Sequence, residues 1–441
     1  MFSFVQNWFT PSTSPIGVDF GSDCLRLAQV EQVGDEYQII ATAAADVPPH
    51  VRNDTAGRSA FFTQTIRDLL VQGGFKGRKV VLNLPASMIH LQHLRVPKME
   101  DEALKKALAW EARGKLPFDP SHAVLRHQIA GEIYQDQEPK YEVILMAARK
   151  DLVEQYLAAA NKARLQVAGM NVEPKAVIDC FSHIYHRKSD FEATTFYIDI
   201  GCGATRAVIA REGRIRFARN IPVGGEHFTR AVATAMRISQ DEARMIRVRL
   251  AAQGIEEGAP RAALAATPGA GATPEKESLE GTGFALLNAA VAAAERREPV
   301  GHPTPAPAEA SDEVPAGERE SGQLSVSPLD RDRVEEACRE PLARLIEELT
   351  LCRRYYESAF HDQPLKRLIF VGGEANQRGL CQQIARALSL PAQIGDPFCR
   401  MSKTIPPDPQ VGIDRRLPQP AWTVAVGLSM GPAVSTVAKA S

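Results

Sequence analysis

Short apolar runs separated by glycine turns recur along the 441-residue chain and predict an α/β protein. One such run, at residues 196–200, contains a single acid, Asp199, and ends at the turn glycines Gly201 and Gly203. A second apolar run, at residues 206–210, and then a third follow after short turns. This order of strand, glycine turn, strand, turn and strand predicts an antiparallel meander. It excludes a dinucleotide-binding fingerprint, because that motif requires a helix directly after its glycine turn.

A second copy of the pattern lies near the N-terminus, at residues 15–30. The copies match position by position at an acid, a glycine and an arginine, which are Asp19 with Asp199, Gly21 with Gly201, and Arg26 with Arg206. A repeat at this separation predicts a duplicated domain core and not a solenoid.

The two acids indicate a binding site, because an aspartate within an apolar strand is costly to bury unless it binds something. Glycine turns can offer backbone N–H groups to phosphate oxygens. A pair of carboxylates can hold Mg²⁺ through its waters, since Mg²⁺ keeps much of its hydration in proteins. The two hairpins therefore predict a nucleoside triphosphate site in the cleft between them.

A third motif is an apolar strand that ends in Gly372 and Gly373 and is followed by a helix at residues 378–388. The three motifs, in this order, resemble the actin/hexokinase/heat-shock-chaperone superfamily. The resemblance implies a phosphate-1 motif at residues 17–26, a phosphate-2 motif at residues 198–205 and a Gly-Gly turn against the adenosine. It implies ATP and Mg²⁺ as cofactors, with the metal held through water by Asp19 and Asp199.

The predicted nucleotide-binding residues come from both hairpin turns, a glycine pair before a helix, the helix after it and the final Gly-Gly turn. They are Asp19, Gly21, Ser22, Arg26, Asp199, Gly201, Gly203, Ala204, Thr205, Gly224, Gly225, Glu242, Arg247, Gly372, Gly373 and Glu374. Asp23 would repel the phosphates unless Mg²⁺ or Arg26 compensates for its charge. No water-positioning residue is identifiable, so we expect ATP hydrolysis to be weak or absent.

The spacing of apolar residues over 85–168 predicts a small β-α-β-β-α subdomain, inserted within the two-domain actin-like fold that the superfamily resemblance implies. Several short motifs in and after this insert resemble the PilM family of type IV pilus assembly proteins, over residues 15–250 and 330–430. The motifs are Leu84-Pro85, Arg95-Val-Pro97, Leu116-Pro-Phe118, Ala147-Ala-Arg-Lys150, Val172-Glu-Pro174, Ile221-Pro-Val-Gly-Gly-Glu-His-Phe-Thr229 and Asp241-Glu-Ala243.

The PilM resemblance implies a cytoplasmic scaffold that binds the tail of a PilN-like inner-membrane protein. Through this partner the protein would be peripheral to the inner membrane. Other pilus assembly proteins, pilus motor ATPases and self-association are further possible contacts. We expect the tail to lie extended beside the insert, against Leu91, Leu94, Val96 and Met99.

Two alternative functions stay open. An FtsA-like division protein would end in an amphipathic membrane helix, for which residues 431–441 are too short. A small-molecule kinase would need a carboxylate base, for which Asp23 is the one candidate.

The predicted organisation has seven segments. They are a flexible N-terminus (1–14), the first part of the domain 1 core (15–84), the inserted subdomain (85–168), the return of domain 1 (169–190), the first part of the domain 2 core (191–252), a disordered Ala/Pro/Glu-rich insertion (253–328) and the second part of domain 2 (329–441).

Composition narrows the partners and the compartment. The net charge is −1 and no block of like charge occurs, which gives no sign of a nucleic-acid partner. Seven scattered cysteines predict free thiols in a reducing compartment. The N-terminus lacks the pattern of a signal peptide, and no apolar run approaches the roughly 20 residues that a membrane helix requires.

Overall fold

The computed structural model describes residues 14–52, 54–135, 137–257, 328–403 and 413–431. Most of the predicted insertion (253–328) and of the predicted flexible N-terminus (1–14) lies outside these residues. Contacts divide the described residues into two units. One contains the residues up to 228 and from 341 onward, and the other contains those between 229 and 340.

The elements are named here in chain order. The strands are β1 (Ile16–Phe20), β2 (Cys24–Val33), β3 (Glu36–Asp46), β4 (Lys79–Leu84), β5 (Ile89–Pro97), β6 (Ala123–Gln135), β7 (Glu138–Arg149), β8 (Gln166–Val172), β9 (Thr194–Ile200), β10 (Thr205–Arg211), β11 (Arg214–Ile221), β12 (Leu365–Val371), β13 (Ala392–Ile394) and β14 (Ser402–Lys403). The helices are α1 (Thr55–Gln72), α2 (Asp101–Glu111), α3 (Lys150–Lys162), α4 (Glu173–Phe181), α5 (Lys188–Glu192), α6 (Gly225–Met236), α7 (Gln240–Glu257), α8 (Pro328–Ala359), α9 (Arg378–Leu388) and α10 (Thr423–Met430).

Two of the sheets are built on the same plan. The first has the strand order β14-β3-β2-β1-β4-β8, and the second has the order β11-β10-β9-β12-β13. In each, an antiparallel meander of three strands is extended by strands parallel to its first strand. The duplicated α/β core predicted from the sequence is therefore confirmed.

The first sheet is covered by α1 and α3. Phe20 of β1 packs edge-on against Phe62 of α1 and Tyr156 of α3, with ring centroids 5.0 Å and 4.8 Å away. Asp54 caps the first turn of α1 by accepting the backbone N–H of Ala56, which satisfies a donor that has no partner within the helix. This packing holds the end of β1, and with it the first glycine turn.

The β-α-β-β-α order of the insert is confirmed, and its antiparallel sheet β5-β7-β6 is packed against α2, whereas its last helix, α3, packs on the first sheet. Leu94 and Val96 of β5 are buried together with Leu104 and Leu108 of α2. Two of the four residues expected to face a partner are thus core residues of the subdomain. The alternation of β5 directs their side chains onto the helix that the subdomain itself supplies.

The subdomain also covers β11, the edge strand of the second sheet. Three side chains donate hydrogen bonds to backbone carbonyls across this contact. From the subdomain, Gln128 Nε2 donates to Ile215 O at 3.1 Å. From β11, Arg216 Nη1 donates to Ala130 O at 2.6 Å and Asn220 Nδ2 donates to Ala86 O at 2.9 Å. An uncovered edge strand exposes unpaired backbone groups, so these contacts both protect β11 and attach the subdomain to it.

Two helices extend further than the sequence predicts. Helix α7 continues to Glu257, past the predicted boundary at residue 253. Helix α8 runs through Pro341, although a proline inside a helix usually breaks or kinks it. Beyond the proline, Leu345, Leu349 and Tyr356 are fully buried at helical spacing. Their burial favours continuation of the helix even though proline removes one backbone hydrogen bond.

Candidate functional site

The first hairpin holds its acid against the neighbouring strand β4. Asp19 is 6% exposed and lies opposite Arg26 in the β1–β2 register. Asn83 of β4 donates from Nδ2 to Oδ1 of Asp19 at 2.9 Å, and its own Oδ1 accepts the backbone N–H of Phe20 at 2.8 Å. Within the described residues, neither Oδ2 of Asp19 nor the guanidinium of Arg26 makes a hydrogen bond. The first hairpin therefore keeps one carboxylate oxygen available.

The second hairpin has the same register but a different contact. Asp199 is 1% exposed and lies opposite Arg206 in the β9–β10 pair. Here the two side chains meet, with Nε and Nη2 of Arg206 at 2.9 Å and 2.6 Å from Oδ2 of Asp199. The repeated aspartates occupy equivalent positions, but the second is already bound to a cation.

Glu173, at the start of α4, completes a buried acidic cluster that the sequence analysis missed. Its Oε1 accepts from Asn83 Nδ2 at 3.2 Å, and its Oε2 lies 3.4 Å from Nε of Arg206. It also accepts the backbone N–H of Ala86, where the chain enters the subdomain. We define Asp19, Glu173 and Asp199 as the acidic cluster.

The signal for Glu173 was present in the sequence. It is an acid within an apolar stretch, which is the criterion that identified both aspartates. Val172-Glu-Pro174 contributes to the PilM resemblance, but the same criterion also marks Glu173 as a candidate site residue. Asn83 was missed in the same way, as a polar residue within the apolar strand β4.

Burial and the neighbouring acids raise the pKa of two members of the acidic cluster, Asp19 and Glu173. Burial raises the pKa of Asp19 to about 6, although Arg26 and Arg206 oppose the shift. Burial raises the pKa of Glu173 to about 7, again against the attraction of Arg206. Burial alone would lower the pKa of Arg206, but Asp199 and Glu173 raise it. The raised pKa values mean that the surroundings of Asp19 and Glu173 disfavour their negative charge, which a bound cation would stabilise.

The glycine turns of the two hairpins face each other. A Cβ placed on Gly203 would lie 3.7 Å from Oγ of Ser22. Gly225, at the start of α6, donates its backbone N–H to Gly201 O at 2.9 Å. A Cβ on Gly224 would come within 2.6 Å of three backbone atoms of the second turn, so glycine is required there. The structure thus brings Ser22, the second turn and the glycine pair together.

The Gly-Gly turn after β12 lies against the same hairpin. Gly372 has φ +86°, and a Cβ there would lie 2.4 Å from Oδ1 of Asp199. The Glu374 side chain lies against Gly225, where a Cβ would be 2.1 Å from Oε1 of the glutamate. No atom lies within 4 Å of a Cβ placed on Gly373, among the residues that are described. This turn therefore adjoins the second hairpin.

Three of the predicted nucleotide-binding residues make hydrogen bonds to neighbouring protein groups. The hydroxyl of Thr205 donates to Val223 O at 2.7 Å. In the second unit, the carboxylate of Glu242 accepts the backbone N–H of Ser239 at 2.9 Å, which forms a capping box at the start of α7. Arg247 is 6% exposed and donates from Nη1 to Oγ1 of Thr229 at 2.9 Å. Its guanidinium is thus neither solvated nor on an exposed helix face.

The acidic cluster does not form a metal site by itself. No group of three or more His, Cys, Asp or Glu side chains in the described ranges is arranged to hold a metal ion. Mg²⁺ is nevertheless commonly held by one or two carboxylates together with substrate phosphates and waters. The available Oδ2 of Asp19 fits that arrangement.

The family model described as type IV pilus assembly protein PilM matches residues 17–251. The chain belongs to the PilM family. A PilM-PilN type IV pilus biogenesis complex is similar in structure, with a TM-score of 0.64 at 20% identity over 95% of this chain and 98% of that chain. The two-domain actin-like fold predicted from the sequence is confirmed.

A relation of this PilM-family chain to the FtsA branch is also found. A family model of cell division protein FtsA matches residues 196–427. Cell division protein FtsA of Bacillus subtilis (strain 168) is 25% identical over 109 residues, which cover 25% of this chain and 24% of that protein. The chain thus aligns with about a quarter of the length of that relative. Among the described helices, none has both the length and the apolar character needed to span a bilayer.

Proposed function

We propose that this PilM-family protein is an ATP-binding scaffold of the type IV pilus assembly machinery. The observation that carries the nucleotide assignment is the pair of buried aspartates on duplicated hairpins whose glycine turns face each other. Family membership supports the assignment to pilus assembly. The predicted division into domains is part of the same proposal.

In this proposal the phosphates of ATP lie between the two glycine turns. Backbone N–H groups of such turns bind phosphate oxygens without requiring side chains. Arg26 supplies positive charge there; burial alone would lower its pKa, but nearby groups, among them Asp19, Asp23 and Asp46, raise it. Asp19 would hold the waters of Mg²⁺, which when bound neutralises phosphate charge.

We propose that hydrolysis is slow because the acid best placed to activate water is occupied. Glu173 is 5% exposed, and its Oε2 is buried beside the guanidinium of Arg206. Its Oε1 is shared with Asn83. A general base must reach the proton that it removes, and both oxygens face protein groups instead.

Replacing Asp19 with asparagine is expected to weaken binding of ATP in the presence of Mg²⁺ at least about tenfold, which corresponds to about 1.4 kcal/mol. Asparagine keeps the shape of the side chain and removes the charge that holds the metal waters. Isothermal titration calorimetry with ATP and MgCl₂ measures the effect, and a thermal melt checks the fold. Asp35→Asn, in the exposed turn between β2 and β3, is the matched control. An unchanged dissociation constant for Asp19→Asn would contradict the site.

We further propose that the partner is the cytoplasmic tail of a PilN-like inner-membrane protein, through which the chain acts at the inner membrane. The PilM-PilN complex among similar structures motivates the partner. Strand β5 forms one edge of the subdomain sheet, and an edge strand can pair with an extended peptide. Leu91 on this strand is half-buried against the core of the first sheet.

A labelled tail peptide of a PilN-like protein is expected to bind saturably, with affinity in the micromolar range typical of short strand-pairing peptides, on the order of −8 kcal/mol. Fluorescence anisotropy measures the binding, and a scrambled peptide is the control. Leu91→Ala should weaken binding, whereas Tyr134→Ala, whose side chain on β6 is 78% exposed, should not. Equal binding of the native and scrambled peptides would reject this partner.

A division role is not proposed. The FtsA model matches residues 196–427, which include the second hairpin and the Gly-Gly turn but not the inserted subdomain. The PilM model covers both the first hairpin and the subdomain. The region that would meet the partner therefore follows the PilM pattern.

A further inference from the structure

The two halves of the duplicated core differ at one contact that bears on the metal. Each hairpin pairs an aspartate with an arginine in the same register. In the first hairpin, within the described residues, Asp19 keeps an oxygen without a hydrogen bond. In the second hairpin, Asp199 is bound to Arg206 through two nitrogens. The site is thus asymmetric although its sequence repeats.

The surroundings of Arg206 fix its guanidinium in place. A Cβ on Gly201 would come within 2.8 Å of Nη1, so the guanidinium lies directly against the second glycine turn. The side chain of Arg206 is 13% exposed and also contacts Glu173. On the other side of Asp199, Oδ1 faces Gly372, where a Cβ would lie 2.4 Å away. Both oxygens of Asp199 are therefore enclosed by protein.

We propose that Arg206 takes the place of a divalent cation at the second hairpin and leaves Asp19 as the carboxylate available to metal. This inference rests on the proposed nucleotide site and assigns its metal to one side. A guanidinium between two carboxylates makes directional, charge-assisted hydrogen bonds and cannot be deprotonated in a protein. It therefore supplies one permanent positive charge to Asp199 and Glu173, whereas a metal would come and go with the nucleotide.

The contacts of Arg206 favour a role in place of a divalent cation over a role as a purely structural ion pair. A structural pair needs one carboxylate, but Arg206 lies between two and is attracted to Asp19 as well. Removing the guanidinium would leave the carboxylates of Asp199 and Glu173 without a cation. Two carboxylates can hold a hydrated divalent cation, because oxygen ligands are those that Mg²⁺ and Mn²⁺ prefer. The arginine thus occupies the volume and supplies the charge that a metal would otherwise provide.

Binding of Mn²⁺ without nucleotide tests the inference directly. We compare wild type with Arg206→Ser by the loss of the free Mn²⁺ signal in electron paramagnetic resonance. Arg206→Ser is expected to bind Mn²⁺ at least about tenfold more tightly than wild type. Adding Asp199→Asn to this variant should abolish the gain. Arg211→Ser is the matched control, since Arg211 lies on the same strand and pairs with Glu212.

Stability has to be controlled, because removing one partner of a buried ion pair is destabilising. The double variant Glu173→Gln with Arg206→Ser removes one charge of each sign and keeps the net charge of the cluster. If Arg206→Ser does not melt cooperatively, the double variant replaces it in the Mn²⁺ titration. A folded variant that lacks Arg206 and gains no affinity for Mn²⁺ overturns the inference.

Nucleotide titrations separate this inference from the proposed function. The ratio of ATP dissociation constants in EDTA and in Mg²⁺ is expected to rise at least about tenfold in Arg206→Ser relative to wild type. Equal ratios with measurable ATP binding would overturn the inference alone. Absence of ATP binding by wild type in both buffers would overturn the proposed nucleotide site, and the Mn²⁺ comparison would still decide the role of Arg206.

Discussion

Replacing Glu142 with alanine is expected to lower the free energy of unfolding by about 3–5 kcal/mol, the cost of breaking a buried ion pair from one side. Glu142 lies on β7, the central strand of the subdomain, and is fully buried. Its Oε2 accepts from Arg95 Nε at 3.0 Å, and its Oε1 accepts from the Tyr355 hydroxyl at 2.6 Å and contacts His93 Nδ1 at 3.0 Å. The substitution would leave three polar groups without their partner.

The charge state of Glu142 agrees with this role. Burial alone would raise the pKa of its carboxyl, but hydrogen bonds from His93, Tyr355 and Arg95 lower it. His93 also contacts Ala218 O of β11 at 3.1 Å, and Tyr355 belongs to α8. One carboxylate thus joins the subdomain to the second sheet and to a long helix. Replacing Glu142 should therefore also weaken binding of the tail peptide, because it loosens the attachment of the subdomain.

Urea denaturation followed by circular dichroism measures the loss. Glu132→Ala is the matched control, because Glu132 lies on the neighbouring strand β6 and pairs with Lys98, but its side chain is 54% exposed. An exposed pair contributes about 0–1 kcal/mol, so this variant should unfold nearly like wild type. Similar unfolding midpoints for the two variants would show that the Glu142 contacts contribute little.

The sequence predicts the duplicated hairpins because their signal is local. An acid within an apolar run and a glycine turn directly after it lie within a few residues of each other, at both Asp19 and Asp199. The order of elements in the subdomain is also local, since alternation and helical spacing identify each element separately. These are the parts of the fold that the structure confirms.

The contacts that complete the site could not be predicted in the same way. Asn83 reaches Asp19 from 64 residues away along the chain, and Glu173 reaches Asn83 from 90 residues away. The register of β9 and β10 brings Arg206 opposite Asp199, but a register alone does not show whether two side chains meet. The comparison of Arg26 with Arg206 demonstrates this, since both have the same register and only one binds its aspartate.

The errors for single residues have a similar origin. Alternation along β5 identifies one face of the strand, but it does not tell whether that face meets a partner or the helix of the same subdomain. Leu94 and Val96 meet α2. The rule that proline ends a helix concerns one hydrogen bond, whereas burial of the apolar stripe of α8 beyond Pro341 involves several side chains.

The second large effect is expected for Glu173→Gln, and it should depend on pH. The pKa of Glu173 is raised from 4.5 to about 7 by burial, against the attraction of Arg206 and with the repulsion of Asp19 and Asp199. A raised pKa means that the carboxyl contributes its full stability below pH 4.5 and loses it as the pH rises through about 7. The difference of about 2.5 pKa units corresponds to a loss on the order of 3 kcal/mol.

Glutamine stays neutral over this range, so the variant avoids that loss. It also retains an oxygen that can accept from Asn83 and from the backbone N–H of Ala86, although Arg206 loses one carboxylate partner. We therefore expect Glu173→Gln to be more stable than wild type by roughly 2 kcal/mol at pH 8 and nearly equal to it at pH 4.5. Urea denaturation at a series of pH values measures the difference.

The difference between the two proteins is more informative than either profile, because all other titrating groups are common to both. Glu154→Gln, on the exposed face of α3, is the control for loss of a glutamate charge and should give a small difference at every pH. Parallel profiles for wild type and Glu173→Gln would mean that Glu173 is as well stabilised in the folded protein as in water. The acidic cluster would then have no excess negative charge to offer a metal ion or a proton.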